Sequence, residues 1–248
     1  MPSQSVNGGT NSSIDFLWMS YNINVKALFI VILVLIVSFA FVNREDLVMA
    51  KVKEIQLPKP QTKGKVSLEE AIAKRRSKRS FSKKELTLEE ISQLLWAGQG
   101  ITGRLGGENL RSAPSAGALY PMEIYALTRN GLYHYVPERN VLEILEEKDL
   151  RGDLAGVALG QSSVSEAALD IVICAVYERA TFKYGERGRR YTEIEAGHIA
   201  QNIHLQAVAL GLDSVPIGAF NDEGVKGILK LPADQVPLYI IPVGHTQS

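Results

Sequence analysis

The sequence predicts an α+β fold in which helices and strands are mixed without the regular β-α-β alternation of a parallel sheet. Three observations carry that reading. Strand-like runs at 123–129 and 132–136 flank Asn130-Gly131, the pair favoured in a type I′ hairpin because both turn residues take positive φ. Ser67-Leu-Glu-Glu70 and Thr87-Leu-Glu-Glu90 are capping boxes, each with a hydroxyl three residues ahead of a glutamate at a helix start. Residues 189–210 form a long helical stretch, rich in small and apolar residues, that stops at Gly211.

Taken in order, residues 1–24 are polar and sparsely charged and read as a disordered tail. Residues 25–43 hold sixteen consecutive uncharged positions, Ala27 to Val42, read as a transmembrane anchor or an export signal. Cations cluster after this run, at Arg44, Lys51, Lys53 and Lys59, with only Lys26 before it. By the positive-inside rule the protein is then single-pass, with its C-terminal domain cytoplasmic. Ser38-Phe39-Ala40 offers a cleavage site for the alternative, an exported domain, and a buried core helix is the third reading. Residues 44–65, with Pro58, Pro60 and Gly64, form a linker, and 66–246 the folded domain.

Within that domain the Ser67 box opens a short helix with Leu68 and Ile72 on its apolar side. The Thr87 box opens a second, with Leu88, Ile91, Leu94 and Leu95 at helical spacing, stopped by Gly98 and Gly100. Gly103, Gly106 and Gly107 predict a loop leading to Arg111–Pro121. A strand at 141–145 extends the hairpin, a helix covers 148–159, and an apolar strand covers 169–176. After the long helix come a strand and turn at 214–220, a helix at 222–229 and a last strand at 238–243.

Composition narrows the function. Lys+Arg and Asp+Glu balance at 27 each, which argues against general nucleic-acid binding. The single cysteine, Cys174, lies inside the apolar strand and reads as core. His198 and His204, six apart on one helix, fall on different faces, and no metal-ligand pattern is present.

Two stretches carry candidate chemistry. Arg75-Arg-Ser-Lys-Arg-Ser-Phe81 places four cations and two hydroxyls at a helix end, a set that suits phosphate because guanidinium forks and serine hydroxyls both donate to its oxygens. The plainer alternative is a solvated basic helix end that complements the helix dipole. Arg111–Pro121 is rich in small residues, which let backbone approach a flat ligand closely.

These two stretches and Val215-Pro-Ile-Gly-Ala-Phe220, in this order and spacing, resemble the FMN-dependent nitroreductase family over roughly residues 66–245. Phe182-Lys-Tyr-Gly-Glu-Arg-Gly-Arg-Arg-Tyr191 and Glu195-Ala-Gly-His-Ile-Ala-Gln-Asn202 resemble its SagB-type branch, which includes dehydrogenases that oxidise peptide thiazolines and oxazolines to thiazoles and oxazoles. The resemblance implies a nitroreductase-like fold and a homodimer with FMN sites at the interface. Arg75, Arg76, Ser77 and Arg79 match the residues that hold the flavin phosphate, ribityl chain and pyrimidine edge, and Arg79 is the candidate to stabilise charge on the reduced flavin. Pro114, Ser115, Ala116 and Gly117 match the loop that arrives from the partner subunit. Pro216, Ile217, Gly218 and Ala219 match the segment against the isoalloxazine. Lys183 and Tyr184 match the catalytic pair of azoline dehydrogenation, against the plainer reading of a surface lysine beside a packing tyrosine. Relatives place a basic residue after the last strand for the phosphate, and here only His245 stands near that place.

The expected function is therefore an FMN-dependent oxidoreductase acting on peptide azolines, with NAD(P)H as a transient electron donor if one is used. The alternatives are an NAD(P)H-dependent reductase of quinones or nitroaromatics, and a membrane-attached flavin-binding or interaction module without turnover.

Overall fold

In the computed structural model, which describes residues 53–247 together with the isolated positions 30 and 32, seven strands form one antiparallel sheet. Its members are β1 (Glu54–Gln56), β4 (Met122–Thr128), β5 (Gly131–Val136), β6 (Val141–Glu146), β7 (Leu169–Val176), β8 (Leu212–Ser214) and β9 (Gln235–His245), in the order β1-β6-β5-β4-β7-β9-β8. A separate hairpin joins β2 (Ile101–Leu105) to β3 (Glu108–Arg111). The chain divides into two units, Met1–Lys51 and Val52–Ser248, and every element named here belongs to the second.

All eight residues of β7 are buried, because helices cover both faces of the sheet at its centre. Leu169, Ile171, Ile173 and Ala175 point to one layer, where α2 (Leu88–Gln99) and α6 (Arg187–Ala209) contribute Leu94, Leu95, Ile199 and Ile203. Val172 and Cys174 point to the other, with α3 (Arg151–Val157), α4 (Ser162–Glu166) and α7 (Asp222–Leu229) supplying Leu154, Val164 and Val225. Burying each large aliphatic side chain contributes about 1.5–3 kcal/mol, so these two layers hold the sheet at its middle. Gly98 lets α2 and α6 meet closely: a Cβ there would lie 3.2 Å from Ile203 Cδ1.

The capping boxes behave as local chemistry dictates. Ser67 Oγ accepts from Glu70 N–H at the start of α1 (Leu68–Lys74), and at α2 the Thr87 and Glu90 side chains cap each other's backbone N–H. Asn130-Gly131 closes the β4–β5 hairpin.

Several expectations need correction. Residues 54–56, assigned to the linker, form β1, because Ile55 pairs with Leu142 on the sheet edge. The glycine loop is the β2–β3 turn, where Gly106 (φ +59°) and Gly107 (φ +91°) supply the positive φ values a tight turn needs. The helix over 148–159 is shorter, with α4 following separately, and an unexpected helix, α5 (Tyr177–Tyr184), follows β7 directly. The single-pass, cytoplasmic-facing placement is also overturned. No helix among the described residues is long and apolar enough to cross a membrane. The sixteen-residue run on which the anchor rested would reach only about 24 Å against a hydrocarbon core of about 30 Å. That run lies outside the described residues except for Ile30 and Ile32, and the export signal read there lies outside them too.

Candidate functional site

The predicted site residues gather in two groups, one at each half of α6. At its C-terminal half, α1 ends where Arg75 leaves helical geometry (φ −55°, ψ 124°) and the chain runs extended to Phe81. That extended run lies along the sheet edge: Ser77 bridges Ser214, Lys78 N–H donates to Ser214 O at 3.0 Å, and Ser82 N–H donates to His245 O at 2.9 Å. Phe81, 5% exposed, pins it against Gly244, where a Cβ would lie 2.7 Å from the Phe81 Cβ.

Arg76 is turned back, its Nη1 donating to the carbonyls of Ala73 (3.0 Å) and Arg75 (2.7 Å), which satisfies the end of α1. Arg75 is half-buried and Ser77, Lys78 and Arg79 are exposed. Among the described residues, Arg75, Lys78 and Arg79 are paired with no carboxylate. Next to them, Ile217 is anchored by mutual backbone hydrogen bonds with Ile240 (2.8 and 2.9 Å), leaving Pro216, Gly218 and Ala219 exposed. His245 turns toward the α2 N-terminus, its Nε2 3.7 Å from Glu90 Oε2.

A residue not singled out as a site from the sequence completes this group. His204, on α6, is 4% exposed; its Nδ1 lies 2.7 Å from Ser214 Oγ while its Nε2 is buried without a partner. Burial first, and the Arg75 charge second, push its pKa down to about 4, so the ring is neutral near pH 7.

At the other half of α6 lies the small-residue loop. Gly117 has φ +63°, and a Cβ on it would stand 2.6 Å from the Tyr184 hydroxyl and 3.0 Å from Lys183 Nζ. The loop and the Lys-Tyr pair, 66 residues apart in sequence, therefore touch. Gly188 makes this meeting feasible, because a Cβ there would lie 2.6 Å from the Ala180 carbonyl carbon and hold α5 away from α6. Tyr184 also packs edge-on against Tyr191 of α6, with centroids 5.2 Å apart.

One turn along α6 from Tyr191 is Glu195, 2% exposed. It lines one cavity with Ser115 and receives Gln99 Nε2 at 3.4 Å, and Gln99 Oε1 in turn accepts from Arg111 at 3.1 Å. Burial raises its pKa to about 7 against the opposing pull of Ser115, Gln99 and Arg111. A cavity of about 250 Å³ opens here, lined by Pro114, Ser115, Ala116, Tyr191, Glu195 and His198, among others. The sequence did carry a signal for Glu195 and His204: both are polar positions on the stripe of α6 that also holds Ile199 and Ile203.

Glu195 and His204 stand nine positions apart on α6, about 14 Å at about 1.5 Å rise per residue. No hydrogen bond or salt bridge among the described residues joins the 75–79 segment to the 114–117 loop.

Comparison with known proteins places this arrangement. The model of the family described as "Nitroreductase family" matches residues 72–245. The chain belongs to the nitroreductase family. It is thus a nitroreductase-family oxidoreductase by descent, and its sheet, α2 and α6 form the α+β core of that fold. It is 41% identical over 203 residues to "Putative nitroreductase MJ1384" of Methanocaldococcus jannaschii, a match that covers 79% of this chain and 98% of that one. It is 30% identical over 146 residues to the microcin B17-processing protein McbC of Escherichia coli, covering 54% of each chain. Among solved structures, a "putative nitroreductase" from Ralstonia eutropha superposes with a TM-score of 0.71 at 30% identity, covering 81% of this chain and 93% of that one.

Proposed function

We propose that this nitroreductase-family protein is an FMN-dependent dehydrogenase that oxidises azoline rings in peptides, working as a homodimer. The observation that carries the reading is the contact of Gly117 with Lys183 and Tyr184, which sets an amine and a phenol beside a loop thin enough for a flat ring to approach. The microcin-processing relative supports a peptide as substrate.

The residues present fit FMN. Arg75 and Arg79 offer guanidinium groups without carboxylate partners among the described residues, and Ser77 adds a hydroxyl. In this reading Arg75, Ser77 and Arg79 hold the phosphate end, with Arg76 bracing α1 behind them, and Pro216, Ile217, Gly218 and Ala219 meet the ring. The separation of the two groups along α6 supports a site completed by Pro114, Ser115, Ala116 and Gly117 of a second copy. His245 is turned toward Glu90 and is not assigned to the phosphate in this reading.

Oxidising an azoline to an azole removes one proton and one hydride, and bound FMN would supply the two-electron acceptor. Lys183 takes the proton from the ring carbon when its amine is neutral, and the Tyr184 hydroxyl orients the ring heteroatom. A second reading, NAD(P)H-dependent reduction of quinones or nitroaromatics, is favoured by the nearly full-length relative described as a nitroreductase. Lys183→Ala separates them. Azoline turnover lost with flavin binding kept supports dehydrogenation, whereas unchanged azoline turnover would sink the assignment of Lys183.

A further inference from the structure

We propose that Arg179 is a positioning residue: its guanidinium clamps α5, and with it Lys183 and Tyr184, to the strained end of the small-residue loop. Packing holds α5 mainly through Tyr177 and Ala180, its two buried residues, and no side chain caps its start. The end that carries Lys183 is left open, with the neighbouring Phe182 96% exposed. The loop needs support as well. Ala118 (φ +54°) and Tyr120 (φ +46°) lie in the left-handed region, which side-chain-bearing residues keep only when their surroundings hold them there. The contact of Gly117 with Lys183 and Tyr184 therefore depends on a tie between helix and loop.

Arg179 supplies that tie. It stands one turn before Lys183 on α5, so the two share a side of the helix. Its Nη1 donates to the carbonyl of Tyr120 at 3.1 Å, and its Nη2 donates to Glu123 Oε1 at the start of β4. One planar fork thus joins the helix, the last strained residue of the loop and the sheet, a geometry that the single ammonium of a lysine does not repeat. Val176 N–H donates to Pro121 O at 2.8 Å, which sets the start of α5 beside the exit of the loop and leaves the fork a short gap to cross. Glu123 is aimed from the other side. Its Oε2 lies 2.7 Å from His134 Nε2 on β5, and His134 Nδ1 lies 3.3 Å from Glu143 Oε2 on β6. The Arg179 side chain is 41% exposed, so solvent screens its charge and the ion pair adds little to folding stability. Its contribution is the placement of Lys183, and a displacement of about 1 Å at a reacting group is enough to slow a reaction by about a hundredfold.

The kinetic consequence rests on the dehydrogenase reading above, but the clamp does not, and hydrogen exchange of the full-length protein tests the clamp without turnover. The amides of Ala118, Leu119 and Tyr120 donate to Ser115 O, Ala116 O and Ser115 Oγ, so they report whether the loop is held. In Arg179→Gln their exchange is expected to quicken by about tenfold or more, with β7 still protected and the urea midpoint unchanged. Arg179→Lys, which keeps the charge and loses the fork, is expected to behave alike. Adding Glu123→Gln to Arg179→Gln is expected to change little further, because the pair acts as one unit. In azoline oxidation Arg179→Gln is expected to lower kcat by about tenfold or more with KM within about twofold of wild type. Wild-type exchange at 118–120 in Arg179→Gln overturns the proposal, and in Arg179→Lys it overturns the fork as its basis. Additive losses in the double variant overturn the part given to Glu123, and an unchanged kcat beside a loosened loop overturns the positioning role. Absence of azoline turnover in wild type is a separate result: it removes the dehydrogenase reading and leaves the exchange data to judge the clamp.

Discussion

Two buried titratable groups on one helix give the stability of this protein opposing pH slopes, and single substitutions expose them. Glu195 is protonated more readily in the folded chain (about 7) than in the unfolded one (about 4.5), so its contribution is full at low pH and falls as pH rises between those values. His204 runs the other way. Its folded pKa, about 4, lies below the ordinary 6.5, so its contribution is full above about 6.5 and is lost as pH falls toward 4. Between pH 5 and pH 7.5 each group changes the unfolding free energy by about 2 kcal/mol, at about 1.4 kcal/mol per unit of differential protonation, with opposite signs. In wild type the two nearly cancel. Glu195→Gln removes the falling slope, so the variant gains about 2 kcal/mol over wild type on going from pH 5 to 7.5. His204→Asn removes the rising slope and loses about as much relative to wild type over the same interval. Urea unfolding at a series of pH values reads both differences directly, and other titrating groups cancel in the comparison. Parallel curves for wild type and the two variants, within about 0.5 kcal/mol, would refute burial as the origin of both shifts.

Other outcomes follow from close approaches in the same region. Gly117→Ala puts a Cβ at a positive φ and against the Tyr184 hydroxyl; it should cost about 1–2 kcal/mol by thermal or urea unfolding and slow azoline turnover by about tenfold or more with little change in KM. Gly188→Ala meets backbone rather than a side-chain tip, so α5 must move, and a loss of about 1–3 kcal/mol is expected together with lost edge packing of Tyr184 on Tyr191. Arg79→Ala should weaken FMN binding, measured by fluorescence quenching, by about tenfold or more without changing the unfolding midpoint of the flavin-free protein; equal affinity would remove Arg79 from the phosphate site.

What could be read from the sequence was what local chemistry dictates. The capping boxes at Ser67 and Thr87, the Asn130-Gly131 turn and the apolar run of β7 act within a few residues, and each formed where its pattern lies. Elements that depend on distant partners were not legible. β1 is three residues long and exists because β6 accepts it, while α5 begins at Tyr177 directly after β7, with no side-chain cap to announce it. The Gly106-Gly107 pair was a hairpin signal read too loosely as a loop. At the site, residue types were legible but their grouping was not: nothing local says that Gly117 meets Tyr184, or that Ser77 lies along Ser214. Glu195 and His204 stood out only as polar residues on a buried helical stripe, a pattern that helix periodicity alone could have flagged. The reading of the apolar run at 27–42 falls outside the described residues save Ile30 and Ile32, and no helix among the described residues is long and apolar enough to cross a membrane.

In the proposed reaction Lys183, held beside the Gly117 loop, takes the proton when an azoline is oxidised at bound FMN. The direct measurement is anaerobic stopped-flow mixing of the full-length, FMN-loaded protein with an azoline-containing peptide, following loss of the visible flavin band in wild type and in Lys183→Ala. Single-turnover bleaching is expected in wild type, and a rate at least about a hundredfold lower in the variant, with the flavin still bound. Bleaching at the same rate in both, or none in wild type while NAD(P)H bleaches it readily, would contradict the claim and leave the reductase reading in its place.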